Sequence, residues 1–356
     1  MKSYQYCIEK LKSTYVFIEE DGLTIQVKPI PDCEEEGVPD DRVLADYLKS
    51  GGMIYPKDSN ALTAEDIAMV RSQMGSQNKD ISTGVFTQEH HMGENKIPLY
   101  IYRPDQKNDH SIVIYIHGGG FLGGCAKMDE NPCRLLAQRA NAVVISVEYR
   151  LSPEHPFPDA MNDCFDALEW VYENADSIGG DREKISVGGD SAGGNLAAVC
   201  ALKERDLGLH RIKSQILLYP AINVGKLDID GKRWNESKYQ MNRNADVLKA
   251  FIKDVGKFNE LIALTYVKNP EDLKNPYVTP FFAQSFGDMP KTLIVTAEYD
   301  YLRLECEEYA RRLIQDGVSA SIIRYSGVCH AFVEHLGYYP QAEDCINEIA
   351  EFIKNS

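Results

Sequence analysis

Ser191 stands at the centre of Gly189-Asp190-Ser191-Ala192-Gly193, inside the run KISVGGDSAGGNLAAVCAL, which reads as a strand, a sharp turn and a helix. A hydroxyl on such a turn stands clear of the backbone, and the flanking glycines remove Cβ atoms that would collide at the bend. The helix N-terminus behind it favours developing negative charge. This arrangement suits nucleophilic attack on a carbonyl. The bare G-x-S-x-G pattern also arises by chance in a glycine-rich chain; its seat between strand and helix gives it weight.

Upstream, IVIYIHGGGFLGG puts His117, Gly118, Gly119 and Gly120 at the end of another strand. Consecutive glycines let backbone N–H groups turn towards a substrate oxygen, as a tetrahedral oxyanion requires. The expected donors are the amides of Gly118, Gly119 and Ala192. The glycines could instead form a plain loop or a phosphate cradle. No Gly-Lys-Ser/Thr follows them, and no G-x-G-x-x-G lies in a strand-to-helix setting, which argues against phosphate.

A nucleophilic serine needs a base, and one known chain order runs nucleophile, acid, histidine. Of eight histidines, only His210, His330 and His335 follow Ser191. His330 lies in the loop SGVCHAF after the last strand, where a base would reach the sheet's carboxyl edge. His210 falls between a helix and the next strand, and His335 is the nearby competitor. The acid should leave the strand TLIVTA, after which Glu298, Asp300 and Glu305 follow. Asp300 has the distance to clear the strand and orient an imidazole, whereas Glu298 reads as a supporting group and Glu305 as a helix-face charge.

These residues need a rigid frame. Short β-branched and aromatic runs alternate with amphipathic helix-length stretches, the pattern of a mostly parallel sheet covered by helices on both faces. Eight strands are expected, near Val85 to His91, Pro98 to Arg103, Ser111 to Ile116, Ala142 to Glu148, Lys184 to Gly188, Ser214 to Tyr219, Lys291 to Thr296 and Ala320 to Tyr325. The first two, joined by a short turn, should be antiparallel. Stripes at Ala160, Cys164, Leu168, Val171 and Ala175, and at Ala342, Ile346, Ile349 and Ile353, give helices one apolar side to lay on the sheet. Residues 1–80, with a hairpin signal at Asp21-Gly22 and a helix-like stretch from Ala61 to Met74, read as an N-terminal extension and cap segment. Residues 81–356 read as the catalytic domain, with an insertion at about 222–275. The two irregular segments together suit a lid; covering exposed core is the blander role.

Composition narrows the partners. A net charge of −16 opposes nucleic acid and anionic membranes. No apolar run approaches a membrane span, and the polar start MKSYQYCIEKLKS is no signal-peptide core, so a cytoplasmic protein is expected. Nine scattered cysteines without C-x-x-C read as reduced thiols and offer no metal cluster. Cys329, beside His330, is the one to watch.

Taken together, HGGGF at 117–121, EYRLSPEHPFPDA at 148–160, GDSAGGNLA at 189–197, NPYVTP at 275–280 and the GVCHAF loop resemble the hormone-sensitive-lipase-like family of esterases over about residues 80–356. The resemblance implies an α/β-hydrolase fold with a cap. It implies a triad of Ser191, Asp300 and His330, and oxyanion amides at Gly118, Gly119 and Ala192. The implied activity is a serine carboxylesterase acting on small, short-acyl esters without metal or cofactor. A deacetylase or amidase on the same triad is the alternative, as is a ligand-binding member resembling plant hormone receptors. The resemblance also allows a homodimer paired through the last strand. One departure is Asp300-Tyr301-Leu302 followed by Arg303-Leu304-Glu305, where relatives carry Asp-Pro-Leu followed by Arg-Asp-Glu.

Overall fold

The computed structural model describes residues 2–56, 62–105, 107–225 and 235–356. The chain opens with α1 (Tyr4–Ser13), a hairpin of β1 (Val16–Glu20) and β2 (Leu23–Lys28), then α2 (Asp41–Ser50) and α3 (Ala64–Arg71). Next come β3 (Phe86–Met92), β4 (Ile97–Arg103), β5 (His110–Ile116), α4 (Glu130–Ala140), β6 (Ala142–Val147) and α5 (Asp159–Asn174). β7 (Gly180–Asp190), α6 (Ala192–Asp206) and β8 (Ile212–Leu218) lead to the long α7 (Ala245–Tyr266). β9 (Lys291–Tyr299), α8 (Arg303–Gln315), β10 (Ala320–Cys329) and α9 (Pro340–Lys354) follow.

The strands form one mixed sheet in the order β1-β2-β10-β9-β8-β7-β5-β6-β4-β3. All eight expected strands are present, and β3 and β4 are antiparallel as expected. Among the described residues the sheet nevertheless has ten strands, not eight. The additional pair is the Asp21-Gly22 hairpin, whose two turn residues both take positive φ, 50° and 77°, as a tight two-residue turn demands. Its strand β2 pairs in parallel with β10. The last strand, through which the resemblance allows a homodimer to pair, is therefore an interior strand, and the edges of the sheet are β1 and β3. The first eighty residues divide accordingly, one part joining the sheet and the rest lying over it.

Central strands are buried on both faces because helices cover both. The side chains of β6 are all buried, and α5 and α6 pack on one side of the sheet while α4 and α9 pack on the other. The stripes of α5 and α9 face inwards as their spacing requires. β6 and β7 flank β5 on opposite sides, so connections diverge there and leave a crevice at the carboxyl ends of β5 and β7. Over that crevice the two irregular segments meet. Tyr47 of α2 packs edge-on against Phe251 of α7 at 4.4 Å, and the Tyr55 hydroxyl donates to the Asp254 carbonyl at 2.6 Å. Ile67 and Val70 of α3 share an apolar cluster with Leu122 and Leu261. Part of the expected insertion, 226–234, and Ala61 at the start of the expected N-terminal helix lie outside the described residues. Among the described residues no helix is long and apolar enough to cross a membrane.

The hairpin is fastened by a buried charge. Lys28, at the end of β2, is fully buried; its ammonium sits 3.1 Å from Asp344 and 2.5 Å from Glu348 of α9, and donates to the Leu11 carbonyl at 3.0 Å. Removing the cation leaves the buried Asp344 carboxylate uncompensated, which costs about 3–5 kcal/mol. Lys28→Ala should therefore lower the unfolding free energy by about that amount in urea titrations. A loss below about 1 kcal/mol would mean that the hairpin is held by other contacts.

Candidate active site

Ser191 is the single residue between β7 and α6, and its backbone is strained, with φ 53° and ψ −115°. A non-glycine residue holds such angles only where its surroundings impose them. Its amide donates to the Leu218 carbonyl at 2.9 Å, and its carbonyl accepts from Asn195 at 3.1 Å and Ala221 at 3.0 Å. The flanking glycines have no room for side chains. A Cβ on Gly189 would lie 2.3 Å from the Ile116 carbonyl oxygen, and one on Gly193 would lie 1.9 Å from the same atom. The end of β5 thus presses directly on the elbow.

His330 reaches this serine from the loop after β10. Its Nε2 is 2.9 Å from Ser191 Oγ, and its Nδ1 is 2.7 Å from Asp300 Oδ2. Asp300 is fully buried, and its second oxygen accepts the Leu302 amide at 2.9 Å. The competitors are occupied elsewhere. Glu305 accepts the Asn223 amide at 3.1 Å, and Glu298 accepts that of Gly327 at 2.8 Å. His335 stacks on Tyr339 at 4.2 Å, and His210 precedes β8 at the opposite, amino end of the sheet. Hydrogen bonds thus link Ser191, His330 and Asp300.

The glycine loop requires a correction. Gly118, expected as an oxyanion donor, instead gives its N–H to Asp190 Oδ1 at 2.9 Å, an oxygen that also accepts the Tyr115 hydroxyl at 3.1 Å. A carboxylate buried at the end of a central strand needs donors, and the nearest amide of the loop supplies one. Gly119 and Gly120 remain, with no acceptor for either amide among the described residues. Both take positive φ, 112° and 64°. Ala192, as the first residue of α6, has no intrahelical acceptor for its amide. His117 steadies the loop from beneath, stacked on Tyr149 at 4.2 Å, with its Nδ1–H on the Gly118 carbonyl at 2.8 Å. Burial pushes its pKa down to about 4, so it stays neutral.

Burial works to lower the pKa of His330, but the charge and hydrogen bond of Asp300 outweigh it, and the net shift is upward. Asp190 and Glu334 add to that shift. Burial pushes Asp190 up to about 6 and Glu334 to about 7, and raises Asp129 well above the usual carboxylate range. Sequence reasoning missed this acidic group. Only the place of Glu334, in the same short turn as His330, could have signalled it. The ring of Tyr219 packs edge-on to His330 at 5.0 Å. Burial drives the Cys329 thiol up to about 12, so it is no second nucleophile at neutral pH. Among the described residues no group of three or more His, Cys, Asp or Glu could hold a metal ion.

A family model described as the alpha/beta hydrolase fold matches residues 113–334. The arylesterase of Saccharolobus solfataricus is 34% identical over 238 residues, 67% of this chain and 73% of that protein. The esterase LipI of Mycobacterium tuberculosis is 35% identical over 246 residues, 68% of this chain and 72% of its own. Among solved structures, the esterase of Pyrobaculum calidifontis matches with a TM-score of 0.66 and 37% identity, covering 78% of this chain and 86% of that one.

The imidazole environment gives a direct prediction. Side-chain NMR titration should put the His330 pKa above the ordinary 6.5, and Asp300→Asn should bring it down by removing the partner charge. An unchanged value in the variant would mean that Asp300 does not govern the imidazole.

Proposed function

The chain belongs to the α/β-hydrolase family and is a carboxylic ester hydrolase, and on that premise we propose that Ser191, His330 and Asp300 carry out the hydrolysis. One observation carries the reading: an unbroken line of hydrogen bonds from Ser191 Oγ through both nitrogens of His330 to Asp300, at 2.9 and 2.7 Å. His330 takes the Ser191 proton as Oγ attacks the ester carbonyl. Asp300 holds the tautomer that leaves Nε2 free to accept and then stabilises the imidazolium. The tetrahedral oxyanion is held by the amides of Gly119, Gly120 and Ala192, with Gly118 committed to Asp190. Collapse returns the proton from His330 to the departing alcohol, leaving an acyl-Ser191. Water, deprotonated by the same imidazole, then releases the acid.

The substrates proposed are small esters with short acyl chains. Supporting this, α7 lies directly on the glycine loop: a Cβ at Gly120 would meet Phe258 at 2.6 Å and Ile262 at 2.9 Å. Bulk over the oxyanion position leaves little depth for a long chain. In this reading α2, α3 and α7 act as the cap. The nine free thiols fit a reducing compartment, which we propose is the cytoplasm.

Hydrolysis of p-nitrophenyl esters from acetate to palmitate, by wild type and Ser191→Ala, tests this. Turnover should favour the short esters and drop by several orders of magnitude in the variant. Equal turnover in the variant would refute the nucleophile. Serine-dependent cleavage of anilides in place of esters would make the protein an amidase.

A further inference from the structure

We propose that Glu298 is a positioning residue for the base: by accepting the Gly327 amide it fixes the bulge in β10 that delivers His330 to Asp300. The inference rests on His330 being that base. β9 and β10 pair regularly from Thr292↔Ala320 to Ala297↔Tyr325, and the next pair is Tyr299↔Cys329. Ser326, Gly327 and Val328 therefore face Glu298 alone, and the backbone ladder has no partner to offer all three.

Gly327, at the crest of the bulge, is held on both of its polar groups. Its N–H donates to Glu298 Oε2 at 2.8 Å, and its carbonyl accepts from the Asp40 amide at 2.9 Å. Its φ is +74°, and a Cβ there would lie 2.5 Å from Ile30 and 2.9 Å from the Asp40 nitrogen. A side-chain carboxylate thus replaces the missing ladder acceptor.

Glu298 lies near the end of β9 and Asp300 just past it, two residues further on. Asp300 holds the imidazole, and Glu298 holds the backbone three residues before it. One strand end fastens the loop at two points, which fixes both the distance and the angle at which His330 meets Ser191. Burial pushes the pKa of the Glu298 carboxyl up, and the Gly327 N–H, followed by Arg303 and Arg324, offsets only part of that shift. An acceptor at this place is what the geometry requires; its charge is secondary. A glutamine keeps an acceptor oxygen at the same reach, whereas an alanine leaves the Gly327 N–H with nothing.

The test measures kcat and KM on a short p-nitrophenyl ester, and the downfield proton resonance of the His330–Asp300 hydrogen bond, for Glu298→Ala and Glu298→Gln. Misplacing the base should lower kcat about 10- to 100-fold in Glu298→Ala with KM nearly unchanged, and weaken or abolish the resonance. Glu298→Gln should keep the resonance and hold kcat within about threefold of wild type. Wild-type kcat and an intact resonance in Glu298→Ala would overturn the proposal. So would a kcat loss in Glu298→Gln equal to that in Glu298→Ala. If Glu298→Ala does not fold, Glu298→Gln decides alone: a drop beyond about tenfold, or loss of the resonance, overturns the proposal. Wild-type turnover that persists in Ser191→Ala would instead indict the triad reading, so the two failures remain distinct.

Discussion

A serine held at φ 53° and ψ −115° is in a conformation that a free chain would abandon, and the rest of the molecule is arranged so that Ser191 cannot. The strain is tolerated because both of its backbone polar groups are paired and because β7 and α6, packed on either side of it, are buried. The close approach of the Ile116 carbonyl dictates glycine at 189 and 193. What the strain secures is exposure of the hydroxyl at a crevice where neighbouring strands end together, within reach of groups that sequence separates widely.

The three loops that converge there are each tied by a buried carboxylate. Asp190 holds the glycine loop through the Gly118 amide, Asp300 holds the imidazole of His330, and Glu305 holds the turn at Asn223. Burying a polar group is costly unless hydrogen bonds compensate it, so each of these loops is located by a buried carboxyl group's need for donors as well as by apolar packing. Asp300, with Asp190 and Glu334, favours the charged form of the His330 imidazole, which suits a base that must carry a proton through a tetrahedral intermediate.

Much of this was legible in the sequence where the determinant is local. The glycines around Ser191, the apolar strands and the place of His330 after the last strand are short-range signals, and the structure brings those residues together. The hairpin at Asp21-Gly22 was also visible as a turn, but its partner strand is Ala320–Cys329, and no local pattern reports a pairing across almost the whole chain. Gly118 was misassigned because a row of glycines does not reveal which N–H points at which acceptor. Asp129 carries no local signal in the sequence and Glu334 only its nearness to His330; the influence of Asp190 on both comes only from the fold.

The central claim is that His330 activates Ser191 for attack. It is tested most directly by mass spectrometry after incubation with diethyl p-nitrophenyl phosphate, which phosphorylates an activated serine with loss of p-nitrophenolate. The account predicts a single diethylphosphoryl group on the peptide carrying Ser191, appearing at the rate at which ester turnover is lost and absent in His330→Ala. Modification elsewhere, or turnover that survives complete labelling of Ser191, would contradict it.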